Sequence, residues 1–456
     1  MRRKVKTIHF IGIGGIGMSG IAEVLLNLGY TISGSDISRS DITDRLIALG
    51  ADVYYMHDAA NLGSVDVVVT STAVRNDNPE VVEAHTRGIP VIPRAEMLAE
   101  LLKMKVSVAV SGTHGKTTTT SMVSTVLAHG GLDPTMVIGG KLASIGSNAR
   151  LGDGDVIVAE ADESDGSFLK LSPYIAVITN IEREHLDYFK DIDEIKAAFL
   201  RFANLVPFYG ASILYIDDDN VKEILPDIKR RCITYGLSAD ADYRAQNIVF
   251  EKTGTRYNLY HKGRLEGEVA LQVPGLYNVC NSLATIAVAR ELDLSFPTIA
   301  QGIQSYTGVQ RRMEVKGKKE GTLVVDDYGH HPTEIRATLK AARQVWEENR
   351  LIVIFQPHRY TRTQALFNEF LSAFDDADIL VVTDIYAASE NEIEGVHAKA
   401  LSEAIRGQGH GNVTYISDFG DIVSHLNTIA RPGDVIMTLG AGTVWKIGEN
   451  FLQQTS

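Results

Sequence analysis

Residues 108–120 read VAVSGTHGKTTTT, an apolar run that breaks into glycine, lysine and threonine. The pattern is that of a strand feeding a phosphate-holding turn and then a helix. Val106 to Val110 form the strand, backbone amides after Gly112 cradle phosphates, Lys116 beyond Gly115 reaches the outer ones, and Thr117 can ligate magnesium. The usual P-loop spacing puts a glycine five residues before Gly115, where this chain has Val110. SGTHGKTT is thus a shorter and more specific form of the loop.

Upstream lies a second phosphate loop, IGIGGIG at 11–17. Gly12, Gly14 and Gly17 make GxGxxG between a strand, Thr7 to Ile11, and an amphipathic helix with Ile21, Val24, Leu25 and Leu28 inward and Gly29 as its stop. Glycines let the chain turn tightly and let a pyrophosphate approach the helix N-terminus. Asp36, closing the second strand, stands where a ribose hydroxyl partner is expected. Alone, this fragment reads as an NAD site and leaves the nucleotide open.

Working outward, short Val/Ile runs alternate with helical patterns in three series, the signature of βαβ units and parallel sheets. The first series holds TIHFIG, YTISGSD, VDVVVTS and IPVIPRAEM and fades in the helical AELLKMK at 99–105. A second runs from VSVAVSG through DVIVAEADES, YIAVITN and SILYIDDD to a hairpin-like stretch, RYNLYHKGRLEGEVALQV, and ends near GVQRRMEV. The third holds TLVVDDYG, RLIVIFQPH, DILVVTDIY and DVIMTLGAG.

With 456 residues, 45% of them hydrophobic and 22% charged, the chain has material for two to four folded domains. A net charge of −13 without a Lys/Arg stripe argues against nucleic acid and acidic membranes as partners. Cys232 and Cys280 lack metal-ligand spacing and suit a reducing compartment. The apolar run after the basic start is too short for a membrane span and is broken by glycines, so the cytoplasm is expected.

ATP chemistry needs ligands for a divalent ion where neighbouring strands end. Glu160 closes VIVA and opens EADESD, and Asn180 closes IAVIT ahead of His185 in NIEREHLDY. These strands share a series with the phosphate loop, which favours Glu160 and His185 as ligands over a solvated acidic turn and a helix-capping histidine.

The motifs GIGGIGMSG, SGTHGKTTTT, EADESDGSF, TNIEREHLDY, GLYNVCN, DDYGHHPTE and QPHRYTRT, in this order along essentially the whole chain, resemble the Mur ligase family. That family consists of ATP-dependent amide-forming enzymes of peptidoglycan synthesis. The resemblance implies an α/β protein of three domains: a Rossmann-like UDP-sugar domain at 1–104, a P-loop-type central ATPase domain at 105–312 and a Rossmann-like amino-acid domain at 313–456. It implies ATP and Mg2+ as cofactors, and a monomer or homodimer without nucleic acid or membrane partners.

Residue by residue, the resemblance implies that Gly12, Gly14, Gly15, Gly17, Asp36 and Ser71 hold the UDP-sugar. Gly112, Thr113, His114, Gly115, Lys116, Thr117, Thr118 and Asn180 would hold ATP, with Asn278 and Asn281 of YNVCN near the adenine, Arg312 reaching the phosphates and Asp327 meeting the ribose. Unaided, YNVCN reads as a helix N-terminus with an Asn cap. Thr117, Glu160 and His185 would surround magnesium. Tyr328, His330, Arg359 and Arg362 would line the pocket of the incoming amino acid, the two arginines addressing its carboxylate and His330 acting as base or positioning group.

The QPHRYTRT segment favours the alanine-adding branch, which joins L-alanine to the lactyl carboxylate of UDP-N-acetylmuramate through an acyl phosphate. The alternative is the branch that attaches a recycled murein tripeptide to the same sugar. An NAD-dependent oxidoreductase would leave SGTHGKTT unexplained, and a mechanical or signalling P-loop NTPase would need no sugar loop. A catalytically dead binding protein is disfavoured by the presence of Lys116, Glu160 and His185. In DDYGHHPTE, Pro332 and Thr333 suit the first turn of a helix, a local role that leaves the paired histidines unexplained.

Overall fold

The computed structural model describes residues 5–71, 73–142, 147–185, 188–251, 254–388 and 390–454. Its strands form three sheets, one for each series of alternating elements. The first is built from β1 (Thr7–Ile11), α1 (Ile16–Asn27), β2 (Thr31–Ser35), α2 (Asp41–Ala48), β3 (Asp52–Tyr54), β4 (Val67–Thr70), α3 (Pro79–Thr86), β5 (Val91–Pro93) and α4 (Arg94–Leu102). It is parallel throughout, in the order β3-β2-β1-β4-β5. The order reverses between β1 and β4, so the loops after these strands flank the crevice where doubly wound sheets take ligands. Gly29 ends α1 at φ 86°, with Tyr30 N donating to Leu25 O at 3.0 Å, the left-handed closure that glycine permits.

The second sheet begins with β6 (Val106–Ser111), α5 (Lys116–His129), β7 (Thr135–Leu142), β8 (Ser147–Arg150), β9 (Val156–Glu160), β10 (Ile175–Ile178) and α6 (Ile192–Ala203). It continues with β11 (Ala211–Tyr215), α7 (Asp219–Ile224), β12 (Cys232–Gly236), β13 (Tyr243–Glu251), β14 (Gly254–His261), β15 (Arg264–Leu271), α8 (Leu276–Glu291) and α9 (Phe296–Gln304). Ten strands lie in the order β15-β14-β13-β12-β11-β10-β6-β9-β7-β8. The phosphate-loop strand β6 sits between β10 and β9, parallel to both. The expected hairpin is β14–β15, whose turn uses Lys262 at φ 49° and Gly263 at φ 78°, two left-handed positions that match the twist of the strands.

One apolar cluster runs through both of these sheets, from Phe10 and Leu25 to Ala159 and Phe199. Phe168, from EADESDGSF, is fully buried in it, with ring centroids 5.3 Å from Phe199 and 5.0 Å from Phe202. That aromatic anchor fixes the acidic turn that precedes it.

The third sheet comprises β16 (Glu314–Lys319), β17 (Thr322–Asp327), α10 (Pro332–Val345), β18 (Leu351–Phe355), α11 (Tyr360–Ala365), α12 (Phe367–Phe370), β19 (Ile379–Val382), α13 (Ala398–Gly407), β20 (Val413–Tyr415), α14 (Phe419–Ile429), β21 (Val435–Leu439) and α15 (Trp445–Gln453). Its order is β16-β17-β21-β18-β19-β20, parallel except for the edge strand β16. Separate apolar clusters cover its two faces, as a parallel sheet requires.

Packing divides the chain into two compact units: Met1–Ile248 with Tyr257–Ala270 and Val279–Thr307, and Val249–Arg256 with Leu271–Asn278 and Gly308–Ser456. Among the described residues, no helix is long and apolar enough to cross a membrane.

Candidate active site

At the first loop, Gly12 adopts φ 80°, and the amides of Gly12 and Ile13 donate to Ser35 O at 2.8 and 3.0 Å. Gly14 N donates to Asp36 Oδ2 at 2.8 Å, and a Cβ on Gly14 would stand only 2.9 Å from that oxygen. Asp36 therefore shapes the loop, and its Oδ1 accepts from Ile37 N at 2.8 Å. Gly15 is the N-cap of α1. Ser71 follows β4 on the opposite side of the crevice, its Oγ 3.9 Å from a Cβ built on Gly12.

Under this loop lies a buried polar cluster. Ser35 Oγ donates to Glu80 Oε2 at 2.6 Å and Asn61 Nδ2 to Glu80 Oε1 at 2.7 Å, with His9 Nε2 at 3.6 Å from Oε1. Burial by itself would raise the Glu80 carboxyl, but His9, Ser35 and Asn61 together hold it below the usual carboxylate value.

In the second loop, Gly112 at φ 134° and Gly115 at φ 82° turn the chain from β6 into α5, which starts at Lys116. Thr179 and Asn180, just after β10, hold that turn. Asn180 Oδ1 accepts from His114 N at 2.8 Å while its Nδ2 donates to His114 O at 3.0 Å. Thr113 Oγ1 accepts from Glu182 N at 2.8 Å. Thr118 is the third residue of α5 and is buried. Asn180 thus buttresses the loop backbone from behind, a role its place in the sequence did not specify.

Lys116 Nζ donates to Gly112 O at 2.6 Å, Thr113 O at 3.1 Å and Glu163 Oε1 at 2.7 Å. Burial disfavours its charge, yet the carboxylates of Glu163, Asp162 and Glu160 outweigh that cost and raise the ammonium above the ordinary lysine value. Lys116 is a fixed cation at the start of α5, where helix amides also favour an anion.

Magnesium takes hard oxygen donors, and the residues around Thr117 suit it. Thr117 Oγ1 stands 3.0 and 3.2 Å from the two Glu160 oxygens. Glu163 Oε2, buried, has no hydrogen-bond partner among the described residues, and His185 Nε2 lies 3.4 Å from Glu163 Oε1. His185 adopts φ 56°, a left-handed backbone that costs free energy and recurs at functional sites. Glu160 therefore meets Thr117, and Lys116 and His185 meet at Glu163.

The two asparagines of YNVCN part company. Asn281 lies within α8, buried, accepting from Thr119 Oγ1 at 3.1 Å, and its Oδ1 would be 2.9 Å from a Cβ on Gly115. It packs against the phosphate loop. Asn278 is also inside α8 and not its cap, which corrects the capping reading: its Nδ2 donates to Pro274 O at 2.6 Å and so satisfies the chain entering the helix.

In the third sheet the predicted residues gather where β17, β21, β18 and β19 end. Asp327 is buried and accepts from Met313 N and Gly329 N, both at 2.8 Å, and from Thr338 Oγ1 at 3.3 Å. Burial raises its carboxyl, against the pull of Arg312 and the two amides. Arg312 lies 3.6 Å from Glu334 Oε1 and 5.3 Å from the centroid of the Tyr328 ring.

His330 Nδ1 is 3.1 Å from Tyr328 O and 3.4 Å from Glu334 Oε2. Both of these contacts at Nδ1 are with acceptor oxygens. The neighbouring histidine has a structural role: His331 is the N-cap of α10, its Nδ1 accepting from Thr333 N at 3.3 Å, with Pro332 in the first turn and Glu334 completing a capping box. Local structure therefore accounts for His331, one of the paired histidines that the helix start alone had left unexplained.

Arg359 precedes α11 at φ 68° with Nη1 3.9 Å from Glu390 Oε1, and Arg362 Nη1 donates to His358 Nδ1 at 2.9 Å. The two arginines share a segment but engage different partners. Aromatic and imidazole rings link the strand ends: Tyr328 to His330 at 5.5 Å, His330 to His358 at 5.6 Å and His358 to Tyr386 at 5.6 Å.

Three residues that the sequence reading passed over belong to these clusters. Glu163 is the second glutamate of the EADES turn, three residues beyond Glu160. His358 sits inside QPHRYTRT, and its neighbourhood to the arginines was a usable signal. Tyr386 follows β19, and nothing local marked it.

Known proteins show the same arrangement along the chain. Residues 7–106 match the Mur ligase family catalytic domain, 110–289 the Mur ligase middle domain and 311–442 the Mur ligase glutamate ligase domain. The UDP-N-acetylmuramate–L-alanine ligase of Syntrophus aciditrophicus is 67% identical over 454 residues, covering 100% of this chain and 94% of the relative. Among solved structures, a UDP-N-acetylmuramate-alanine ligase from Thermotoga maritima superposes with a TM-score of 0.82 at 30% identity, covering 98% of both chains. A murein peptide ligase from Psychrobacter arcticus superposes with a TM-score of 0.72 at 25% identity, over 99% of this chain and 100% of its own. With three domain families matched in order and a relative this similar over the whole of this chain, the chain belongs to the Mur ligase family.

Proposed function

We propose that the protein joins L-alanine to the lactyl carboxylate of UDP-N-acetylmuramate at the expense of ATP, in the synthesis of peptidoglycan precursors in the cytoplasm. The observation that carries the reading is the fixed Lys116 ammonium at the N-terminus of α5, flanked by Thr117 and Glu160, since such a site serves nucleoside triphosphates. The high identity to an L-alanine ligase favours alanine over a murein tripeptide as the amine.

The chemistry follows from what each side chain offers. A carboxylate does not react with an amine until its oxygen becomes a leaving group. The lactyl oxygen attacks the γ-phosphorus, the bond to the β–γ bridging oxygen breaks, and ADP leaves as the acyl phosphate forms. Charge spreads over the transferring phosphoryl group, and Lys116 with the amides opening α5 stabilises it without reorganisation. Thr117, Glu160 and His185 would hold Mg2+, which supplies Lewis-acid neutralisation of phosphate charge. Glu163 orients both Lys116 and His185 through one oxygen.

In the second half, the alanine nitrogen attacks the acyl carbon and phosphate departs from the tetrahedral intermediate. His330 takes a proton from the amine, and Arg359 and Arg362 hold the alanine carboxylate. The test is phosphate release from ATP and Mg2+ with UDP-N-acetylmuramate, comparing L-alanine with the murein tripeptide. Turnover that requires the sugar and L-alanine supports the reading; turnover with the tripeptide alone moves the protein to the recycling reaction.

A further inference from the structure

Arg359 is the N-cap of α11 and makes no side-chain cap. An N-cap residue ordinarily accepts from an amide of the first turn, and a guanidinium has no acceptor to offer. The first turn of α11 also lacks an acidic residue, so the arginine meets the positive end of the helix. Both deficits are met from another loop. Glu390, beyond β19, accepts from Thr361 N through Oε2 at 3.1 Å and from Thr361 Oγ1 through Oε1 at 2.6 Å. The same Oε1 stands 3.9 Å from Arg359 Nη1. One carboxylate thus caps the helix from 29 positions away and balances the arginine at its start.

The backbone brings Glu390 to this place. Tyr386 N donates to Pro357 O at 2.8 Å and Arg359 N to Tyr386 O at 2.9 Å, a parallel bridge between His358 and Tyr386, whose rings stack with an interplanar angle of 10°. Glu390 N then donates to Ala387 O at 3.0 Å and closes a turn in which Ala388 adopts φ 48°. Ala388 and Arg359, the latter at φ 68°, are left-handed without being glycine. Such conformations persist where the surroundings over-determine them, and they cluster at functional sites. Thr361, the residue that Glu390 grips, lies between Arg359 and Arg362. The Glu390 side chain is 20% exposed and that of Arg359 39%, so the anion is the more buried partner and the guanidinium stays within reach of a ligand.

We propose that Glu390 is a positioning residue for the amine substrate. Through Thr361 it fixes the turn of α11 that presents Arg359 and Arg362, so that both guanidinium groups are set before the amino-acid carboxylate arrives. Ordering long side chains in the free protein removes that cost from binding. Glu390 touches no substrate in this role and acts only on how the carboxylate end of the amino acid is held. The proposal rests on the reading of the two arginines as the holders of that carboxylate.

The experiment is steady-state phosphate release with L-alanine and with L-alaninamide, which lacks the carboxylate, for the full-length wild type, Glu390→Gln, Glu390→Ala and Thr361→Val. Wild type should favour L-alanine. Glu390→Ala should raise the KM for L-alanine about 5- to 30-fold, the loss expected when hydrogen bonds to a charged group are removed. The KM values for ATP and the nucleotide sugar should stay within about twofold, and the preference over L-alaninamide should narrow. Glu390→Gln keeps an acceptor and loses the charge, and Thr361→Val keeps the amide and loses the hydroxyl. Both should fall between wild type and Glu390→Ala, and both keep the comparison available should Glu390→Ala fail to fold. A KM for L-alanine unchanged in the variants, or KM values raised equally for all three substrates, overturns the proposal. A wild type that uses L-alaninamide as well as L-alanine, or neither, instead overturns the reading of the arginines, and the proposal with it.

Discussion

Lys116 Nζ and Glu163 Oε1 lie 2.7 Å apart, and the same glutamate oxygen stands 3.4 Å from His185 Nε2. One carboxylate oxygen thus ties the Lys116 ammonium to the His185 imidazole. Outer partners of this kind set both the position of a ligand and its charge.

Glu163→Gln keeps the volume and removes the charge. The Mg2+ concentration for half-maximal turnover should rise about 10- to 100-fold, with the KM for L-alanine unchanged. Phosphate release measured across a Mg2+ titration checks this, and an unaltered Mg2+ requirement would remove Glu163 from the site.

Gly112→Ala meets two obstacles. The new Cβ would lie 2.0 Å from Thr179 Oγ1 and 3.0 Å from Thr179 N, and the backbone stands at φ 134°. The backbone conformation alone should cost about 1–3 kcal/mol. Adding Thr179→Ala removes the hydroxyl but neither the amide nor the strain, so urea unfolding of the double variant should still show a lowered midpoint.

Arg359 holds a left-handed backbone at φ 68°, where glycine is favoured. Arg359→Gly should therefore be more stable than Arg359→Ala by about 1 kcal/mol, by thermal unfolding. Both should raise the KM for L-alanine about 10- to 100-fold, because each loses the guanidinium. Equal melting temperatures for the two would show that the segment relaxes.

Glu80 sets a pH dependence under the first loop. Its carboxyl titrates below the usual value in the folded chain, so the ionised form is the one that folding favours. That contribution is present above the unfolded value near 4.3 and is lost as pH falls through the lower folded value. Glu80→Gln should destabilise by about 1–3 kcal/mol at neutral pH, with the gap to wild type narrowing toward about pH 3.5. Urea midpoints of both proteins at the two pH values test it; a gap independent of pH would assign the loss to shape alone.

Much of the fold was legible because its signals are local. The loop glycines, the apolar strands on either side and Gly29 at the end of α1 each act within a few residues, and the hairpin at Lys262 and Gly263 announced itself by alternation. The capping reading of Asn278 failed for the converse reason. Whether an asparagine caps a helix or sits inside it depends on where the preceding chain enters, and here Pro274 O takes its amide. His331 was legible only in part: Pro332 marked the helix start, but that a histidine ring would accept from Thr333 N required the turn itself.

By itself, the sequence determined the class of fold and the glycine-rich turns that follow β1 and β6, because strand periodicity and glycine freedom belong to residues and their near neighbours. Only the tertiary structure decided how those residues are held. Lys116 meets Glu163 across 47 positions, Thr119 meets Asn281 across 162, and His358 stacks on Tyr386. Such contacts depend on which strands lie side by side. The sheet order β10-β6-β9 brings Asn180 and Glu160 to either side of one loop. Nothing in the local sequence specifies that order, which arises when each parallel strand buries both its faces.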